Sequence, residues 1–182
     1  YDHVYNYDYF PNARIILHQR EADWVAGNPD NYAIPPNFYS AIRQTGRMEL
    51  INDDKEIAPG IATLLVPGHT RGSMALVLRD YGMPTTVVAG DAVKNMAELA
   101  DGKVPKAWDT AVSAQSIKKI RDIAEIVIPG HDRILKVTND QICALTSLHE
   151  TIVIPAGVID KDQPTHLDLI IEPTCIDKRE II

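Results

Sequence analysis

Three apolar runs in this chain each end in a tight turn that delivers a metal-capable side chain. Ile61 to Val66 leads into Pro67-Gly68-His69, Val87-Val88-Ala89 into Gly90-Asp91, and Ile126-Val127-Ile128 into Pro129-Gly130-His131. Short apolar runs stopped by Gly and Pro read as buried strands. Glycine just before a ligand lets the backbone turn sharply or approach an ion closely. Side chains offered from loops at the ends of strands sit on a rigid sheet edge, where ligands are usually presented. A further pair, Asp2-His3, stands at the start of the chain.

The rest of the sequence surrounds these strands with mixed structure. Arg14 to His18, Met48 to Ile51, Met74 to Leu78 and Thr85 to Ala89 also read as strands. Gln19 to Ala26 suits a short helix. Thr110 to Glu125 suits an amphipathic one, with Ala114, Ile117, Ile120, Ile123 and Ala124 near helical spacing and Thr110 as N-cap. Thr138 to Leu148 reads as another helix, capped by Thr138 or Asn139. Gly27 to Pro36 and Asn95 to Asp109 are irregular stretches. Ile152 to Pro155 and Leu167 to Ile171 are late strands, a hairpin or an added pair. There is no internal repeat. Interleaved strands and helices imply an α/β fold with helices packed on sheet faces.

Composition narrows the function classes. With 45% hydrophobic and 24% charged residues, the 182-residue chain has enough apolar surface to offset chain entropy. Its 25 acidic against 18 basic residues give a net charge of -7, a poor match for a phosphate backbone. No apolar run approaches the roughly 18–20 residues that span a membrane. Cys143 and Cys175 form no CxxC pair and lie in no histidine cluster, so reduced thiols in a cytoplasmic protein are expected.

Imidazole and carboxylate are ligands of zinc and other borderline divalent metals. Histidine is also common in ordinary cores and turns, and any one of these residues alone is more often a non-ligand. The repeated Pro-Gly-His, taken with Gly-Asp, shifts the balance. His18, His149 and His166 lie outside that pattern and read as packed or surface histidines. Asp132 either orients a ligand or caps a turn.

The order Asp-His, Pro-Gly-His-Thr, Gly-Asp, Pro-Gly-His resembles the metallo-β-lactamase superfamily over residues 1 to about 135. Asp2 and His3 match the last two positions of its HxHxDH motif. His69, Asp91 and His131 match the next ligands in order, with Asp91 as the bridging aspartate. The resemblance implies a metallo-β-lactamase-like αβ/βα sandwich, two mixed sheets with helices outside and the site at one sheet edge. Within the superfamily, Phe10-Pro11-Asn12-Ala13, Val104-Pro105 and Gly130-His131-Asp132 are most similar to the N-acyl homoserine lactonase group. The first two histidines of HxHxDH precede Tyr1, so the expectation is a native protein longer at its N-terminus, with its first strands outside this sequence. Residues 1–135 would form the metallo-β-lactamase-like domain and 136–182 a C-terminal extension packing on it.

The resemblance implies a hydrolase holding two divalent metal ions, zinc first, with iron and manganese open. Asp2, His3, His69, Asp91 and His131 would be the ligands, and Asp2 and Asp91 the catalytic carboxylates. A metal-held hydroxide would attack the carbonyl of a lactone, ester or related small acyl substrate. Lys94 stands where lactonases of the group carry a tyrosine that helps hold the substrate carbonyl. It would bind substrate or be a solvated loop lysine. Arg71 replaces the usual Pro after His-Thr and is expected to be structural or exposed. Trp24, Tyr32, Phe38, Tyr39 and Trp108 would wall a pocket or pack as a lid. An iron-dependent oxidoreductase on the same scaffold and a non-catalytic binding module are the competing readings. The tail after residue 135 would add to the sheet, cover the loops or form a homodimer contact.

Overall fold

The computed structural model describes residues 2–28, 37–80 and 82–178, with the side chain of Asp2 outside the described set. Tyr32 and most of the expected Gly27–Pro36 loop also lie outside the described residues. Within them the fold is mixed α/β, as the sequence predicts. An eight-stranded sheet has the order β12-β9-β8-β7-β6-β5-β4-β3. Its strands are β3 (Glu56–Ala58), β4 (Ile61–Leu65), β5 (Met74–Leu78), β6 (Thr86–Gly90), β7 (Ile126–Pro129), β8 (Leu135–Val137), β9 (Gln141–Ala144) and β12 (Cys175–Asp177). β6 and β7 are parallel, whereas the other neighbours are antiparallel. The sheet runs across residue 135 without interruption.

Alternation along the central strands builds the core. Ala75 and Val77, Val87 and Ala89, and Val127 point to one face and are buried. They belong to one cluster with Leu99 from α3 (Met96–Asp101) and Ile117 and Ile120 from α4 (Thr110–Ile123). Each fully buried Val, Leu or Ile among them contributes about 1.5–3 kcal/mol. α4 is the amphipathic helix expected from its spacing. Its N-cap is Asp109 rather than Thr110, because Asp109 Oδ1 accepts from the Ala111 and Val112 N–H groups at 3.0 Å. The stretch Asn95 to Asp109 is not wholly irregular, since α3 opens where Asn95 Oδ1 accepts from the Glu98 N–H.

A second, two-stranded parallel sheet pairs β1 (Ile15–His18) with β2 (Met48–Ile51). Between them lie α1 (Gln19–Gly27) and α2 (Phe38–Gln44). Arg47 ties the N-terminal segment to this unit. Its guanidinium donates to the carbonyls of Tyr7, Phe10 and Ala13 and lies 5.7 Å from the Tyr7 ring centroid.

Two expectations fail. Thr138 to Leu148 is not a helix. Thr138 and Gln141 bond to each other in a turn between β8 and β9, and Gln141 to Ala144 alternates as a strand. The cysteines are not free thiols, since Cys143 and Cys175 form a disulfide. Ala144 N–H donates to the Thr174 carbonyl, so Cys143 and Cys175 make the adjacent non-hydrogen-bonded pair, where strand Cα atoms come closest. Their Cα atoms are 4.1 Å apart. The expectation of a reducing compartment loses that support.

The tail divides. β12 adds to the sheet. β10 (Leu148–Ile154) and β11 (Thr165–Ile171) form a separate antiparallel hairpin that is largely exposed. No described helix is long and apolar enough to cross a membrane.

Candidate metal centre

The parallel pairing of β6 and β7 sets Gly90 opposite Pro129, so both strands release their chains at one edge of the sheet. Asp91 follows the first strand and His131 follows the second. Gly130 is where the two loops nearly touch. A β-carbon there would lie 2.6 Å from Asp91 Oδ1 and 2.9 Å from the Gly90 carbonyl oxygen. Glycine is required by that proximity.

His69 comes from the turn after β4. Gly68 has φ +136°, and a β-carbon on it would meet Ser113 of α4 at 2.4–2.6 Å. The turn is bonded to the helix and its approach. Ser116 Oγ donates to the Pro67 carbonyl at 2.6 Å, Asp109 N–H to Gly68 at 3.1 Å, and Trp108 N–H to His69 at 3.2 Å. His3 arrives from a short 3₁₀ turn, Asp2–Val4.

Three imidazoles converge on one carboxylate. His131 Nε2 is 2.9 Å and His3 Nε2 3.5 Å from Asp91 Oδ1, while His69 Nε2 is 3.2 Å from Oδ2. The two carboxylate oxygens therefore face different histidines. Two donors about 2.05 Å from one tetrahedral ion lie about 3.3 Å apart, so these separations suit shared coordination. His3, Asp91 and His131 can together hold an ion. Asp91 Oδ1 and His69 Nδ1 are buried without a hydrogen-bond partner, a cost that a ligated metal relieves at Oδ1. The residues fit one ion at the His3–Asp91–His131 corner. The His69–Asp91 corner supplies two protein donors among the described residues, against the three of an ordinary catalytic zinc.

Of the expected site residues, the structure gathers His3, His69, Asp91 and His131. The Asp2 side chain lies outside the described residues. Lys94 is placed differently. Its Nζ is buried 3.0 Å from Glu98 Oε1, an ion pair without hydrogen-bond alignment, and its backbone N–H donates to Glu98 Oε2 at 2.8 Å. Asp132 clips loops together: its carboxylate accepts from the Met96 and Arg133 N–H groups. His18 is packed, 2% exposed. Its Nδ1 accepts from the Arg20 N–H and its Nε2 donates to the Asn52 carbonyl. His149 and His166 lie on the hairpin, away from the cluster.

Beside the cluster lies a cavity of about 640 Å³. His3, His69 and Asp91 form its polar end, and Leu17, Met74 and Val88 its apolar wall. Trp24 closes one side. Phe38 instead packs on Tyr5 and Tyr7, holding the N-terminal segment against α2. Arg47, which grips the same segment, has no signature in the sequence beyond a basic residue next to a strand.

No protein-family model matches the chain. A probable metallo-hydrolase of Methanocaldococcus jannaschii is 31% identical over 136 residues, covering 74% of this chain and 54% of that protein. An N-acyl homoserine lactonase of a Bacillus species is 28% identical over 140 residues, 72% of this chain and 52% of that one. A solved N-acyl homoserine lactone hydrolase, with N-hexanoyl-L-homoserine bound at its catalytic metal centre, superposes with a TM-score of 0.55 at 25% identity. That match covers 68% of this chain and 48% of the hydrolase. The chain thus spans about half the length of the curated relatives it matches.

Fold, motif order and relatives agree: the chain is similar to the metallo-β-lactamase superfamily. Within it, the likeness is to the N-acyl homoserine lactonases.

Proposed function

We propose that the protein is a metal-dependent hydrolase of small acyl substrates, lactones and esters first among them. The observation that carries this reading is the division of Asp91 between His69 on one oxygen and His3 with His131 on the other. A carboxylate so placed would help hold one ion with His3 and His131 and would offer its other oxygen to a second beside His69. Zinc is the first candidate, because the donors are imidazole and carboxylate with no thiolate among them.

When bound, such ions lower the pKa of water toward neutrality and polarise an acyl carbonyl. The chain's own residues do the rest. The hydrogen-bonded turn under His69 fixes its backbone and so the point from which its imidazole reaches Asp91. Asp91 fixes the separation of the two corners and aims its oxygens at them. Leu17, Met74 and Val88 hold the apolar part of the acyl group and keep water from that side.

The test pairs elemental analysis with hydrolysis of N-hexanoyl homoserine lactone and p-nitrophenyl butyrate. Bound divalent metal is expected, with turnover lost on chelation and restored by zinc. Asp91→Asn keeps the shape and removes the charge. It is expected to lower bound metal and to reduce turnover by about 100-fold or more, roughly 2.7 kcal/mol. Undiminished turnover in the chelated protein, or in Asp91→Asn, overturns the reading.

A further inference from the structure

The turn that carries His69 has a second side. A cavity of about 480 Å³ lies there, walled by Trp24, Trp108 and Pro67 and rimmed by Arg20, Arg71 and Asp23. Trp24 also lines the cavity that holds His69 and Asp91, so the two cavities share a wall. Trp108 is anchored by its N–H bond to the His69 carbonyl, which ties this cavity mechanically to the candidate centre.

The cationic groups here have no polar side-chain partner among the described residues. The Arg71 guanidinium lies over the Trp108 ring, 4.7 Å from its centroid. Stacking fixes its plane and leaves its in-plane N–H donors available. Among the described residues, neither the Arg71 nor the Arg20 side chain has a hydrogen bond or ion pair. The one carboxylate on the rim, Asp23, already accepts from Gln19 Nε2 at 2.7 Å. Two cations against one anion make a locally positive spot on a chain of net charge -7. Such a spot raises the local concentration of anions. Surface packing of Arg71 on Trp108 explains one arginine. It does not explain a second arginine and a second tryptophan around the same hollow.

We infer that this cavity is a specificity subsite for a carboxylate carried by the substrate on a planar or apolar group. The carboxylate is bound by Arg71 and Arg20, and the group that bears it lies between Trp24 and Trp108. The inference rests on the hydrolase reading above and sharpens it. The favoured substrates are acyl compounds with an anionic group remote from the scissile carbonyl, rather than uncharged lactones.

The first test needs no metal. Both tryptophans of the chain line this cavity, so their fluorescence reports on it. Metal-stripped protein is titrated with phenylacetate and with uncharged phenylacetamide. A saturable change with phenylacetate is expected, at least about tenfold tighter than with the amide, and about tenfold weaker in Arg71→Ala and in Arg20→Ala. Equal affinity for acid and amide, no saturable change, or wild-type affinity in both variants overturns the subsite. The second test compares turnover of phthalide and 5-carboxyphthalide, two lactones that differ by the carboxylate. The charged lactone is expected to have a kcat/KM at least about tenfold higher, and that ratio is expected to collapse in Arg71→Ala. An unchanged ratio in the variant also overturns the subsite. Loss of turnover on both lactones with intact phenylacetate binding faults the hydrolase reading and leaves the subsite standing.

Discussion

A β-carbon on Gly130 would stand 2.6 Å from Asp91 Oδ1, closer than any side chain tolerates. The backbone of one loop is thus the floor on which the carboxylate of the other rests. Gly130→Ala is expected to push Asp91 away from His3 and His131 while leaving the sheet intact. Bound metal falls about 10- to 100-fold in affinity, by analogy with the loss of groups that orient ligands. Elemental analysis and competition with a chelating dye measure it, and an unchanged circular dichroism spectrum separates a displaced ligand from an unfolded chain.

Gly68 makes the opposite kind of contact, between a ligand turn and the core. Its φ of +136° and the 2.4 Å approach to the Ser113 Cα leave no room for a side chain. Gly68→Ala is expected to cost about 2–4 kcal/mol of stability, from backbone strain together with overpacking. Denaturant titration reads the loss directly. A variant as stable as the parent would mean that α4 does not pack on this turn.

Arg47 touches no ligand, yet it binds three carbonyls of the segment that carries His3. Arg47→Ala is expected to raise amide exchange across residues 4–13 and to weaken metal binding about tenfold, with little change in the exchange of β5 and β6. Arg47→Lys restores part of the effect at most, because an ammonium lacks the planar fork that spans several carbonyls. Exchange rates unaltered by Arg47→Ala would remove it from this positioning role.

Lys94 and Glu98 form a largely buried pair, with side chains 21% and 7% exposed. Lys94→Met leaves the Glu98 carboxylate without its counter-charge. A loss of about 3 kcal/mol is expected in chemical denaturation. If Lys94 instead binds substrate, the same variant raises KM and leaves stability nearly unchanged, so the two measurements together assign the residue.

Three candidate ligands, His69, Asp91 and His131, were legible because each is announced locally, by a strand, a glycine and a histidine or aspartate in sequence, whereas His3 stood out only through the resemblance of Asp2-His3 to the end of HxHxDH. The core strands were legible for a similar reason: Ala75 and Val77 or Val87 and Ala89 alternate within a few residues. The failures have a common physical origin. Thr138 can cap a helix or close a turn with the same hydroxyl, and only its strand neighbours decide between them. Strands of three residues, such as β3, β8 and β12, carry too little pattern to stand out alone. The disulfide depends on which strands become neighbours, a relation between residues 32 positions apart. The Arg47 clasp and the Arg20–Arg71 cavity likewise exist only once distant segments meet.

The Cys143–Cys175 bond encloses the exposed hairpin and its connections. Arg133 fastens the root of that hairpin through the Thr146, Ile171 and Glu172 carbonyls. The arm is therefore a parenthesis in the chain, opened at one cysteine and closed at the other. A protease that nicks its tip, where Val158 and Ile159 are 70% and 63% exposed, leaves two pieces that still travel as one molecule until a reductant separates them. The last strand of the sheet keeps its covalent link through such a cut, so evolution or an engineer can lengthen, shorten or replace the arm while the order of strands beneath it stays the same.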